Sequence, residues 1–348
     1  MKATIYYGPK NIKLEEIPKP VPTEKDVIVK VMRAGICGSD LKAYLYDGSS
    51  VGIFPKGTFG LDGQFGHEMV GVVDEIGADV EGIAVGDRVF VNPTVCRKAG
   101  MLTCDMSGAF SEYVLVEEAK YGYNLLKLSD STTFDEAVMT EPLSVATHGK
   151  NVIDVKPYEK VVIFGAGTIG LCALEAVLAI GCKDPVIIDM NEERLALAER
   201  LGGTPCNPSH EEDGIAEFLM KHFGVVISPF GDKNCDVDVF IDCAGAAPVV
   251  ENTIKMAKHG ARICIVAVHK KPVACDMILF GSSELTMKGS LGYQMTDVLE
   301  AYNNIDGHRN RVSEIVTHQF PIDQILEAFE VAANPETGAI KVVINYEM

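Results

Sequence analysis

The sequence predicts an α/β fold in which a doubly wound parallel sheet follows a β-rich region. From residue 156 onward, short apolar strands alternate with helical stretches, as in parallel sheets covered on both faces. The first part holds only short β-branched runs cut by Gly, Pro and Asp. A glycine-rich turn joins the first strand of the alternating region to its helix.

In order along the chain, DVIVKVMRAGI, GVVDEIG, DRVFV and SEYVLV are the strand candidates of the first part. Turn signals this frequent imply a compact, partly closed β structure. KVVIF then opens the alternating region, followed by GAGTIG and by LCALEAVLAIG, a helical stretch stopped by Gly181. VIIDM is the next strand and NEERLALAERLG the next helix, before VDVFIDCAG, VVENTIKMAKHG and ARICIVAV repeat the alternation. A mixed helical tail closes with IKVVINY, a strand expected to pack back on the first region. The predicted division is therefore 1–152, 153–294 and 295–348, with the first and last pieces forming one domain around the middle one.

Composition narrows the function. The chain has 348 residues, 47% hydrophobic, with 33 glycines, which suits two folded domains and excludes disorder. Its 31 basic and 49 acidic residues give a net charge of −18, so nucleic acid and anionic membranes are poor partners. The start, MKATIYYGPK, lacks a continuous apolar core, so no secretory signal is expected. No apolar run approaches the roughly 20 residues that span a bilayer. Ten scattered cysteines, several in apolar runs (Cys172, Cys243, Cys264), read as reduced, buried thiols of a cytoplasmic protein.

The glycine turn carries the first chemical signal. Gly165, Gly167 and Gly170, with Thr168 and Ile169 between them, form GxGxxG between a strand and a helix. This pattern allows a tight turn and close approach of a pyrophosphate to the helix N-terminus. Asp189 closes the next strand, where a carboxylate binds both ribose hydroxyls and repels the extra phosphate of NADP. NAD is the expected cofactor, although Arg194, five residues on, is a guanidinium able to accommodate a phosphate.

The second signal lies in the β-rich part. GICGSD carries Cys37 and Ser39, GHEMVGVV carries His67 and Glu68, and TEPLSVATHG carries Glu141. Singly, each has a bland reading as a core thiol, a satisfied imidazole or a helix-start carboxylate. Together they offer the thiolate, imidazole and carboxylate donors of a catalytic zinc site with one open position. Thiolate and one carboxylate neutralise Zn²⁺; both glutamates bound at once leave the site anionic and weaken its Lewis acidity. One carboxylate is therefore expected on the metal and the other behind it, or the two exchange during turnover.

These segments, in this order, resemble the zinc-containing medium-chain dehydrogenases of the alcohol dehydrogenase superfamily, most closely their sorbitol/polyol dehydrogenase branch. The resemblance runs from LEEIPKPVP through GICGSD, GHEMVG, GDRV, EPLSVATHG, GAGTIG and VIIDM to AIKVVI. It implies a GroES-like catalytic domain split around a Rossmann domain, and oxidation of a secondary alcohol or polyol by hydride transfer to NAD. It places Cys37, His67 and Glu68 around the catalytic zinc, with Glu141 at the metal as ligand or through bound water. Ser39 takes the role of passing the alcohol proton outward. The glycine turn and Asp189 match the NAD site, with Arg194 similar to the cationic residue near the adenosine. Relatives are usually homodimers or homotetramers acting on small-molecule alcohols or ketones.

Two departures bear on this expectation. Many relatives have a four-cysteine lobe holding a structural zinc, whereas this chain offers only Cys96 and Cys104 between GDRV and SEYV. Two thiols cannot close a tetrahedral site, so that zinc is expected to be absent. Many relatives also have a histidine at the proton-relay exit where this chain has Lys42, which stays charged until about pH 10.4 if unperturbed. Either water completes the relay, or Lys42 and Lys56 bring positive charge to the substrate entrance and favour a sugar-alcohol phosphate or hydroxy acid. The plain alternative is a solvated surface lysine.

Between the cysteine and the histidine, Tyr44, Phe54 and Phe59 are candidate walls of the substrate pocket, or aromatics packed on the β domain. Threonine and butanediol dehydrogenases share the ligand pattern. A zinc-free quinone or enoyl reductase would keep the glycine turn without needing Cys37, His67 and Glu68. A nucleotide-binding sensor would keep the turn and lose the ligands.

Overall fold

The computed structural model describes residues 1–46, 65–95 and 108–348, which form two compact units. The first comprises Met1–Glu141, Ile305–His308 and Val316–Met348, and the second Pro142–Asn304 and Arg309–Ile315.

The first unit is organised by the strand Val27–Gly35, whose β-branched run is buried along most of its length. It pairs antiparallel with Glu68–Ile76, with Tyr113–Val116 and with the closing strand Lys341–Asn345. Val316–Phe320, Arg88–Val91 and Leu125–Lys127 complete a seven-stranded sheet. Under it lies an aromatic cluster in which Phe65, Phe110 and Phe329 meet edge to face at centroid distances of 5.1 to 5.7 Å. Each such pair contributes about 0.5–1.5 kcal/mol beyond its area burial. Tyr44 belongs to the same core: it is buried and meets Phe329 edge to face at 5.4 Å. It is a packing residue rather than a pocket wall. Phe54, Phe59 and Lys56 lie outside the described residues. An N-terminal hairpin, Lys2–Tyr6 with Ile12–Glu16, was not evident from the sequence pattern.

The second unit holds a six-stranded, all-parallel sheet in the order Thr204–Cys206, Val186–Ile188, Val161–Phe164, Val239–Asp242, Arg262–Ile265, Thr286–Gly289. Taken in chain order this is 3-2-1-4-5-6, the doubly wound arrangement of dinucleotide-binding domains. Its inner strands are short and apolar because both faces are covered: Val162, Phe164, Phe240 and Ile263 are all buried. An antiparallel hairpin, Val225–Ile227 with Lys233–Cys235, interrupts the alternation.

The helix Thr140–Val152 places Glu141 in the first unit and continues into the second. There His148 Nδ1 lies 2.7 Å from Asp297 Oδ2, and Asn151 donates to Asp297 Oδ1 at 2.8 Å. This buried carboxylate ties the helix to Met295–Asp306, which explains why the two stretches cluster with the parallel sheet up to Asn304.

Burial pushes the thiol of Cys182 up to about 11, and those of Cys206, Cys235 and Cys264 up to about 12, so they stay protonated and inert. Cys275 departs from the expected pattern and is exposed. No helix of the described residues is long and apolar enough to cross a membrane.

Candidate active site

Strand register brings the candidate metal ligands together. Gly35 is paired directly with Glu68, so the residues just beyond the end of one strand and just before the start of the other are neighbours. Cys37 lies two residues past the end of the one strand, and His67 immediately before the other. His67 precedes the first residue of its strand, so the alternation of side chains along a strand does not turn it away from Glu68. Donor atoms of Cys37, His67 and Glu68 all lie within 4.8 Å of one another. Glu141, in the first turn of its helix, brings Oε1 to 4.0 Å from His67 Nε2. Cys37, His67 and Glu68 thus come together, and Glu141 stands beside His67.

Two further residues join them. Asp40 is buried, and its Oδ2 accepts the backbone N–H of Cys37 at 2.9 Å. This is the reach-back half of a capping box at the start of the helix Gly38–Tyr46, and it fixes the backbone that carries the thiol. Asp40 Oδ1 stands 3.8 Å from His67 Nδ1, on the side of the ring away from Glu141. The C–x–x–D spacing was a readable signal for it. Lys341, the first residue of the closing strand, is also buried; its Nζ donates to the Ile36 carbonyl at 3.0 Å and forms an ion pair with Glu68 Oε2. Nothing in the spacing of the sequence announces that contact.

The electrostatics describe a strongly negative pocket. Burial pushes the Asp40 carboxyl up to about 6, and the charge on His67 opposes this. Burial works against a proton on His67, yet the charges of Cys37, Asp40 and Glu141 outweigh it and raise the imidazole well above its ordinary range. The same field that holds a proton on His67 attracts a divalent cation. With imidazole and carboxylate donors buried and a half-buried thiol clustered beside them, these residues fit zinc.

Ser39 lies half-buried in the first turn of the helix Gly38–Tyr46, and Lys42 is half-buried one turn further along it. Cys96 and Cys104 lie outside the described residues.

The glycine turn sits in the second unit at the C-terminal end of Val161–Phe164, where the strand order reverses toward Val239–Asp242. Gly165 has φ +93°, a conformation that favours glycine. At Gly170 the need is closeness: a Cβ there would stand 1.7 Å from the Gly165 carbonyl oxygen. Gly170→Ala is therefore expected to lose about 1–3 kcal/mol through overpacking, read as a lowered thermal midpoint. An unchanged midpoint would mean that the turn yields more easily than this contact implies.

The helix Thr168–Ala179 has Gly167 as its N-cap, with no side-chain cap, and the space where a Cβ of Gly167 would sit is open. Among the described residues nothing fills the space beside Gly167 at this helix N-terminus, which fits a pyrophosphate. Thr168 and Ile169 form the first turn of that helix. Asp189 holds the turn: its Oδ2 accepts the Ala166 N–H at 2.7 Å and its Oδ1 the Asn191 N–H at 2.9 Å. Arg194, half-buried, donates its backbone N–H to the Asn191 side chain at the start of the helix Glu192–Arg200.

Known proteins share both halves. Residues 23–129 match the alcohol dehydrogenase GroES-like domain, and residues 168–306 match the zinc-binding dehydrogenase domain. The chain is 30% identical over 363 residues to (R,R)-butanediol dehydrogenase of Bacillus subtilis, covering 99% of both proteins. It is 29% identical over 350 residues to L-threonine 3-dehydrogenase of Coxiella burnetii, covering 96% of each. The crystal structure of 2R,3R-butanediol dehydrogenase from Bacillus subtilis superposes with a TM-score of 0.84 at 27% identity, over 99% of each chain. End-to-end similarity of this kind, over both the β-rich and the parallel-sheet unit, means that the chain belongs to the zinc-type medium-chain dehydrogenases of the alcohol dehydrogenase superfamily.

Proposed function

We propose that the protein oxidises a secondary alcohol of the diol or polyol class, free or phosphorylated, with one catalytic zinc and NAD. The convergence of Cys37, His67 and Glu68, with Glu141 beside them, carries this reading. When bound, zinc supplies the Lewis acidity that makes the carbinol oxygen acidic near neutral pH, and NAD accepts the hydride. Cys37 and His67 with one glutamate would hold the metal. Asp40, set against Cys37 and facing His67, orients both ligands. Ser39 carries the carbinol proton toward solvent. Asp189 keeps lone pairs free, beyond its two backbone contacts, for the ribose hydroxyls of NAD. Similarity to threonine 3-dehydrogenase supports a second reading, a hydroxy amino acid as substrate of the same centre.

The test is zinc content per chain, with NAD-reduction assays on a panel of diols, polyols, polyol phosphates and threonine, before and after chelation. The expected result is about one zinc per chain and chelator-sensitive oxidation of one panel class. A content near two would show that a structural zinc is present after all. Full activity in a verified metal-free enzyme would overturn the mechanism in favour of a zinc-free reductase.

A further inference from the structure

The glycine turn and Asp189 follow the first two strands of the parallel sheet in chain order, Val161–Phe164 and Val186–Ile188. Such a sheet has two mononucleotide-binding halves, and the second here opens with Val239–Asp242 and Arg262–Ile265. The turns that follow these strands lie along the same edge as the glycine turn. A Cβ on Gly165 would stand 3.1 Å from Ala244 N, so the 243–245 turn packs against it. Gly245 in turn has φ +68°, and a Cβ there would stand 3.1 Å from the Val268 carbonyl oxygen.

Asp242 ties this edge together. Its backbone carbonyl accepts the N–H groups of Val266 at 3.0 Å and Ala267 at 2.9 Å. Its buried carboxylate accepts those of Ala244 and Gly245 through Oδ1, both at 2.9 Å. The other oxygen, Oδ2, lies 2.8 Å from His269 Nε2. A carboxylate that already accepts two N–H groups takes a third donor here, which assigns the hydrogen of that contact to Nε2. The imidazole is thereby fixed in orientation, and among the described residues its Nδ1 has no hydrogen-bond partner. The side chain keeps 16% of its surface exposed, so the ring is both held and reachable.

The chemistry of Nδ1 selects its ligand. With a lone pair it accepts and with a proton it donates, and a sugar hydroxyl answers either state because it is donor and acceptor in one. The dinucleotide has two riboses, and Asp189 is placed to serve the adenosine one.

We propose that His269, oriented by Asp242, binds a hydroxyl of the nicotinamide ribose. The pair serves the second half of the sheet as Asp189 serves the first. This inference rests on the NAD reading given above.

The experiment measures binding to the full chain without substrate, using NADH by fluorescence titration, and ADP-ribose and AMP by calorimetry. NADH and ADP-ribose carry the second ribose, whereas AMP ends at the first. His269→Gln keeps a donor that reaches Asp242 and removes the ring nitrogen at Nδ1. It is expected to bind NADH and ADP-ribose about 3- to 10-fold more weakly, as for one lost hydrogen bond, and AMP as the wild type does. His269→Asn, which puts a hydrogen-bonding atom near the place of Nδ1, should bind NADH more tightly than His269→Gln. A residue that only braced the turn would give the reverse order, since asparagine is too short to reach Asp242.

If His269→Gln does not fold, His269→Phe decides by the same pattern of ligands. Equal weakening of all three ligands, or of none, overturns the proposal. Loss confined to NADH, with ADP-ribose unaffected, also overturns it, because the contact would then be to the nicotinamide ring. A wild-type protein that binds neither NADH nor AMP would instead sink the NAD reading itself.

Discussion

Replacing Cys37 by Ser or His67 by Ala is expected to reduce bound zinc to near zero and to lower kcat/KM for the alcohol by about a thousandfold or more. Metal polarisation of a reacting oxygen contributes several kcal/mol to the transition state, and each 1.36 kcal/mol is a factor of about ten. The two side chains supply the thiolate and imidazole of a cluster whose donor atoms lie within 4.8 Å, and among the described residues that cluster holds no second thiolate or imidazole. NADH binding should be spared. The glycine turn belongs to a different compact unit, and its hydrogen bonds run through Asp189 and Asn191, not through the metal pocket. Zinc by elemental analysis, steady-state kinetics and NADH fluorescence titration measure the three quantities. A variant that lost zinc but kept most of its activity would show that the metal is not catalytic.

The sequence was most informative where function depends on local chemistry. Gly165, Gly167 and Gly170 were readable because a tight turn and a close helix–strand approach restrict those positions to glycine, and the turn does fall at the reversal of the parallel sheet. Cys37, His67, Glu68 and Glu141 were readable as metal-ligand types in polar segments of a β-rich region. That they meet is a property of register, the pairing of Gly35 with Glu68, which no local pattern encodes. Lys341 was not readable for the same reason. It reaches Ile36 from 305 residues away, and a lysine opening an apolar strand looks like an ordinary solvated flank. For Tyr44 the sequence left two readings open, a pocket wall or an aromatic packed on the β domain, and the second holds: its partner Phe329 in the core comes from the far end of the chain.

Asp189→Asn is expected to lower the preference for NAD over NADP, as the ratio of kcat/KM values, by about a hundredfold. A hydrogen bond to a charged group contributes about 1.5–3 kcal/mol, and each 1.4 kcal/mol is about tenfold, so losing the carboxylate on the ribose hydroxyls alone gives about 10- to 100-fold against NAD. Removing its repulsion of the extra phosphate works in favour of NADP, and Arg194, half-buried on the following helix, then becomes available as a countercharge. Beside this proposed role, the structure shows the Asp189 carboxylate holding the Ala166 and Asn191 N–H groups. The two jobs separate by measurement. Asparagine keeps one acceptor oxygen, so part of the anchoring survives, and the thermal midpoint should fall only slightly while the cofactor ratio moves greatly. If instead the midpoint drops and both cofactors weaken together with their ratio intact, Asp189 is an anchor of the glycine turn. The choice between NAD and NADP would then have to be made elsewhere on the nucleotide-binding unit.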